Sequence, residues 1–173
     1  QEEFQHYLTE KSEWPGLLEF VMISKKDVGG KSINKMEGLM DSIYTDLGVE
    51  KKETLIYYSL SKSPITSCME RNDAADISLR LTSMTNLPAH AELLAGEMYS
   101  EDGLDEEGNI EVVISQACMV ETNLLVGEVL KFDSLKTYEG EPIYIKVVGV
   151  YDKADNDDFY WQFSPEEMNI VCL

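Results

Sequence analysis

The chain has 173 residues, with 14 Lys and Arg against 33 Asp and Glu, for a formal net charge of −19. A field of that sign repels phosphate backbones and anionic headgroups, which argues against nucleic acid as a partner and treats most of the acidic residues as a solvated face. At this length the chain can bury roughly 70% of its unfolded surface, so it needs neither disulfide nor metal to fold; no run of about 18 apolar residues is present to span a membrane.

The sequence begins at Gln1 with neither an initiator Met nor a signal-peptide core, as a mature or excised fragment would. Residues 1–16 place Phe4, Tyr7 and Leu8 at helical spacing amid charges, a short stalk-like helix ended by Pro15 and Gly16. Residues 17–24 (LLEFVMIS) read as a strand. Ser32 can cap a helix that carries Ile33, Met36, Leu39, Met40, Ile43, Tyr44 and Leu47 on one face and stops at Gly48. Residues 53–61 (ETLIYYSLS) are rich in β-branched and aromatic side chains and give a second strand. Residues 17–75 are thus expected to form a β-α-β lobe with its connection. A right-handed crossover makes its two strands parallel, and Pro64 breaks the chain after them.

Residues 76–173 are expected to form a β-rich lobe, which makes the fold class α+β. Ile77, Leu79 and Leu81 alternate with Ser78, Arg80 and Thr82, the period of a half-buried strand. Residues 87–94 read as a turn or short helix ending at Gly96. Residues 100–109 hold two glycines and five acids and should be a solvated loop. Strands are expected at 111–115, 128–134 and 143–151, with a short helix near 116–123. After an acidic loop at 152–158, residues 159–163 and 169–173 read as closing strands, separated by a Ser-Pro-Glu-Glu helix start.

Residue types that carry chemistry are sparse, and none assembles into a recognisable motif. Gly29-Gly30-Lys31-Ser32 follows a strand and opens a helix, but a phosphate-binding loop needs a glycine where Lys25 stands, and Asp27 would put negative charge in the cradle. His6 and His90 lack a nucleophile context, and Ser115 beside Cys118 lacks a base. Cys68, Cys118 and Cys172 show neither metal spacing nor a disulfide framework, although one bridge is permitted outside the cell. Asp152, Asp155, Asp157 and Asp158 depart from the calcium-loop pattern. No catalytic, cofactor-binding or metal-ligating residue is therefore assigned. Phe159, Tyr160 and Trp161, three aromatics in a row, cannot all face inward on one strand, so they are the candidate partner contact.

The order of segments from Leu93 onward is the most informative feature. It runs LLAGEMYS, an acidic turn, EVVIS, a short helical stretch closing on LLVGEVLKF, then IYIKVVGVY. This series resembles the extracytoplasmic core domain of the MacB/FtsX-like family of ABC-transporter permeases, over roughly the last eighty residues. The resemblance implies a MacB-like periplasmic core architecture at the extracytoplasmic face of a bacterial membrane. It implies a non-catalytic module, coupled through flanking membrane helices to a cytoplasmic ATPase subunit, that touches a substrate or a protein partner outside. Two other classes stay open. One is a free-standing extracellular binding module for a peptide, glycan or basic protein. The other is a hydrolase using acidic-loop carboxylates, which requires two of them within roughly 10 Å in a cleft.

Overall fold

The computed structural model describes residues 30–48, 54–70, 77–163 and 169–173. The chain divides into two compact units, Gln1–Thr54 and Leu55–Leu173. The division falls inside the expected strand at 53–61, and the part of it that is strand, Tyr57–Ser59, lies in the second unit. The expected stalk-like helix and the strand at 17–24 lie outside the described residues.

In the first unit, helix α1 (Gly30–Leu47) starts at the glycine of the Gly-Lys-Ser stretch, which is helix and not a loop. Ile33, Met36, Met40, Ile43, Tyr44 and Leu47 are half-buried at helical spacing, whereas Leu39 is exposed. Gly48 ends the helix in a left-handed conformation, its amide returning to the Thr45 carbonyl at 3.1 Å.

The second unit is sheet-rich and α+β. Its elements are β1 (Tyr57–Ser59), β2 (Ser63–Ser67), β3 (Ser78–Met84), α2 (Leu87–His90), β4 (Ala91–Gly96), β5 (Ile110–Ser115), α3 (Gln116–Thr122), β6 (Val129–Lys136), β7 (Pro142–Lys153), a 3-10 helix (Phe159–Phe163) and β8 (Asn169–Cys172). Among the described residues the eight strands follow the order β1-β3-β2-β6-β7-β5-β8, with β4 added to β7. A further β3–β8 pairing closes the path into a circuit. Closure removes the exposed edges that β3 and β8 would otherwise present. The pairs β5–β7 and β3–β8 are parallel and the others antiparallel.

Period-two alternation sorts the core into two layers. Val112, Ile114, Ile145, Val147, Val150 and Ile170 face one cluster with Leu79, Leu124, Leu130 and Phe132. Val113, Val148, Tyr151 and Val171 face another, with Met84, Leu87, Tyr160 and Trp161. Strands buried on both faces need apolar residues at successive positions, which is why 112–114 and 147–151 read as continuous hydrophobic runs.

Three local expectations are corrected. Pro64 lies inside β2, at the point where the strand changes partner: Ser63 and Pro64 pair with β3, Ile65 to Ser67 with β6. The missing proline N–H costs little at such a changeover. Residues 91–96 form a strand where a turn or helix was expected, because the LLAG segment takes its ladder from β7. Residues 159–163 form a 3-10 helix, not a strand; Asp158 Oδ1 accepts the Tyr160 amide at 2.9 Å and starts the turn.

Candidate functional site

The three glycine-marked segments of the sequence meet at one place on β7. Gly96, from LLAG, is the register partner of Gly149, from VVGV. Glu97 N–H donates to the Val148 carbonyl at 2.9 Å, one residue beyond that pair. Gly127, from LLVG, donates its amide to the Val147 carbonyl at 2.7 Å, and Val147 N–H donates to the Glu128 carbonyl at 2.9 Å. At this point the β5–β7 register slips, Val112 facing Val147 and Val113 facing Gly149. The slip places Val148 as an extra residue, the geometry of a β-bulge.

Glu128 anchors the corner from below. Its carboxylate is buried, with Ser67 Oγ donating to Oε1 at 2.7 Å and Leu125 N–H to Oε2 at 3.1 Å. It thereby ties β2 to the α3–β6 turn. Beside this corner the surface is apolar: Leu93 and Leu94 on β4, and Leu125 and Val126 on the turn, are all at least 40% exposed. The tips of Leu93 and Val126 reach the backbone of the glycine pair, each within 3.1 Å of the point where a Cβ would stand.

A second cluster joins α2 to the 3-10 helix. His90 Nδ1 lies 2.7 Å from Asp158 Oδ2, and the imidazole stacks on Tyr160 with centroids 4.0 Å apart. Tyr160 donates its hydroxyl to the Thr85 carbonyl at 2.9 Å and meets Trp161 edge-on. Lys153 Nζ stands 5.9 Å from the Trp161 ring centroid. The hydrogen bond from His90, followed by that from the Tyr160 amide, holds the Asp158 carboxyl below its ordinary range. The cluster is a clasp between elements: each ring and charge has a structural partner.

The acidic loop at 100–109 is built around Asp105. Its Oδ1 accepts the amides of Glu107 and Asn109, at 3.0 and 2.8 Å, and its Oδ2 accepts Asn109 Nδ2 at 2.9 Å and Lys146 Nζ at 3.2 Å. Burial alone would raise this carboxyl; the bonds from Asn109 and then Lys146 outweigh it and hold the group well below the ordinary carboxylate range. Elsewhere a shallow groove of about 350 Å³ runs along Tyr58, Met84, Thr85, Asn86 and Tyr99.

The candidate contact residues separate in the structure. Tyr160 and Trp161 are buried in the core layer, and only Phe159 of the three is open to solvent. Ser115 caps α3, accepting the Cys118 amide at 3.0 Å, and Cys118 is buried beneath it. All three cysteines are free. Asp155 caps its own turn through the Asp157 amide, and His6 lies outside the described residues. Among the described residues no three His, Cys, Asp or Glu side chains are grouped to hold a metal ion, and no helix is long and apolar enough to cross a membrane. The apolar surface beside the glycine corner escaped sequence reasoning. Its available signal is charge: residues 81–130 contain no Lys or Arg and ten Asp or Glu.

No family model and no curated protein matches this sequence. Among solved structures the fold is similar to the periplasmic region of MacB from Actinobacillus actinomycetemcomitans, with a TM-score of 0.41 and 16% sequence identity. The match covers 76% of this chain and 53% of that one, so the chain spans about half the length of that structure.

Proposed function

We propose that this chain is the extracytoplasmic domain of a bacterial ABC-transporter permease of the MacB/FtsX-like kind, coupling cytoplasmic ATP hydrolysis to export or envelope signalling. The observation that carries the reading is the meeting of LLAG, LLVG and VVGV on residues 147–149 of β7. These are the segments on which the resemblance rests, and their contact through backbone ties three elements into one stiff corner. In such a permease, closure of the ATPase dimer shifts the membrane helices, and a rigid body relays that shift to a substrate or partner outside. Relay needs stiffness and a contact surface, to which Phe159 contributes. It needs no proton chemistry. Among the described residues the carboxylates with a resolved shift, Asp105 and Asp158, are both held low, the direction that disables a general acid at neutral pH.

The test is made on the protein in its own cells. Cys68 is exposed and Cys118 buried, so a membrane-impermeant maleimide added to intact cells should label Cys68, and the detergent-extracted protein should carry an ATPase subunit with it. Labelling only after lysis overturns the extracytoplasmic placement. Labelling of a protein that is free of membrane and ATPase overturns the permease and supports the free-standing binding module.

A further inference from the structure

We infer that the outer edge of β4, with the apolar surface formed by Leu93, Leu94, Leu125 and Val126, docks an extended segment of a partner protein that alternates apolar and basic side chains. Among the described residues β4 pairs only with β7, which leaves one row of its backbone donors and acceptors without a ladder. Open edges are ordinarily protected by lysine, proline or a covering element. Among the described residues the segment 93–96 carries no lysine, proline or covering element: it reads Leu-Leu-Ala-Gly and is exposed throughout. Only the register shift between Leu93 and Ala95 interrupts it, so an added strand would pair on either side of that irregularity. An added strand would complete the ladder, and its apolar side chains would cover the leucines, the usual division of labour in strand addition.

Charge selects the occupant. Glu92 on β4 and Glu97 just past its end flank the exposed leucines, and Asp152 is the register partner of Glu92. The nearest basic group by register, Lys153 opposite Ala91, is held over the Trp161 ring. An apolar stripe with an acidic rim repels a second copy of a chain that carries −19, and it attracts lysine or arginine on either side of an apolar strand. The surface is defined by pairing, exposure and charge alone, so it stands or falls apart from the permease reading.

The probe is a fluorescent octapeptide alternating valine and lysine, compared with a peptide of the same composition in two blocks and with a valine-glutamate counterpart. The alternating basic peptide should bind roughly tenfold more tightly than either control, and it should slow hydrogen exchange at the amides of residues 92–96. Leu94→Glu combined with Val126→Glu should weaken it by about tenfold, with the melting temperature serving as the check on folding. Glu92→Lys with Glu97→Lys, a surface change, should reverse the preference toward the glutamate peptide. Equal binding of blocked and alternating peptides, protection away from β4, absence of binding, or self-association abolished by Leu94→Glu would each overturn the inference.

Discussion

Gly96 and Gly149 face one another across the β4–β7 ladder, and neither has room for a side chain. A Cβ on Gly96 would run into the Val148 carbonyl oxygen, and one on Gly149 into the Glu97 carbonyl oxygen. Gly96 also sits at φ +72, where a side chain is strained whatever the space. Backbone cannot yield as a flexible side chain does. Gly96→Ala and Gly149→Ala should therefore each cost roughly 2–4 kcal/mol in urea unfolding. Gly127→Ala, at φ +89 but facing open space, should cost only about 1–2 kcal/mol. Equal losses at all three positions would show that the close approach is not what these glycines serve.

That relationship also explains how much was legible beforehand. IEVVIS and IYIKVVGVY announce strands because they are β-branched runs buried on two faces, whereas the cap that Ser115 places on α3 emerged only with the structure. The strand AELLAG opens with five good helix formers, Ala91 to Ala95, and only its ladder with β7 makes it extended. Ser-Pro-Ile-Thr-Ser is likewise a strand by partnership, its proline placed where the ladder changes hands. Phe159, Tyr160 and Trp161 were legible as a triplet that cannot bury all its rings in a strand. Which ring stays outside depended on the turn set by Asp158, a contact that strand periodicity does not encode.

The Asp105 carboxylate should be the organiser of the acidic loop. Asp105→Ala removes the acceptor of four donors, and charge-assisted bonds of this kind carry about 1–3 kcal/mol when a partner is left unpaired. The loss should appear as faster amide exchange at Glu107 and Asn109 and as a lower midpoint in urea. Unchanged exchange in that loop would mean that Gly103 and Gly108 shape it without the carboxylate.

Acid stability follows from the direction of two carboxyl shifts. Asp105 and Asp158 both lie below the ordinary value of 3.8 in the folded chain. As pH falls past that value the unfolded chain takes up protons first, so stability contributed by these groups is present above about pH 4 and is lost as pH drops through the folded values. Asp158→Asn should flatten the acid limb of the melting-temperature profile. His90→Ala removes the largest cause of the Asp158 shift and should flatten it similarly, with little added effect when the two changes are combined. A strictly additive double variant would dissolve the clasp.

Thiol reactivity separates the cysteines. Burial raises the Cys118 thiol to about 11, partly offset by its hydrogen bond with Thr122, so almost no thiolate exists there at neutral pH. Iodoacetamide should alkylate exposed Cys68 rapidly, and Cys118 only at the rate of opening or in denaturant. Burial also raises Cys172, which should react more slowly than Cys68. Fast native labelling of Cys118, read by peptide mass, would contradict the packing of α3 on the core.

Tyr151 offers a substitution that should strengthen the fold. Its ring is 2% exposed, stacked 6.2 Å from Trp161, and its hydroxyl has no hydrogen-bond partner among the described residues. Burial drives the phenol far above its ordinary pKa, so it stays neutral. A buried hydroxyl without a partner costs about 1–3 kcal/mol of desolvation. Tyr151→Phe keeps the ring, the stacking and nearly all of the volume while removing that cost, so it should raise stability by about 1 kcal/mol. Tyr160→Phe is the contrast, because its hydroxyl serves the Thr85 carbonyl at 2.9 Å and its loss should destabilise. Opposite signs for the two tyrosines in one urea series are the expected result; destabilisation by Tyr151→Phe would reveal a hydrogen bond at that hydroxyl in solution.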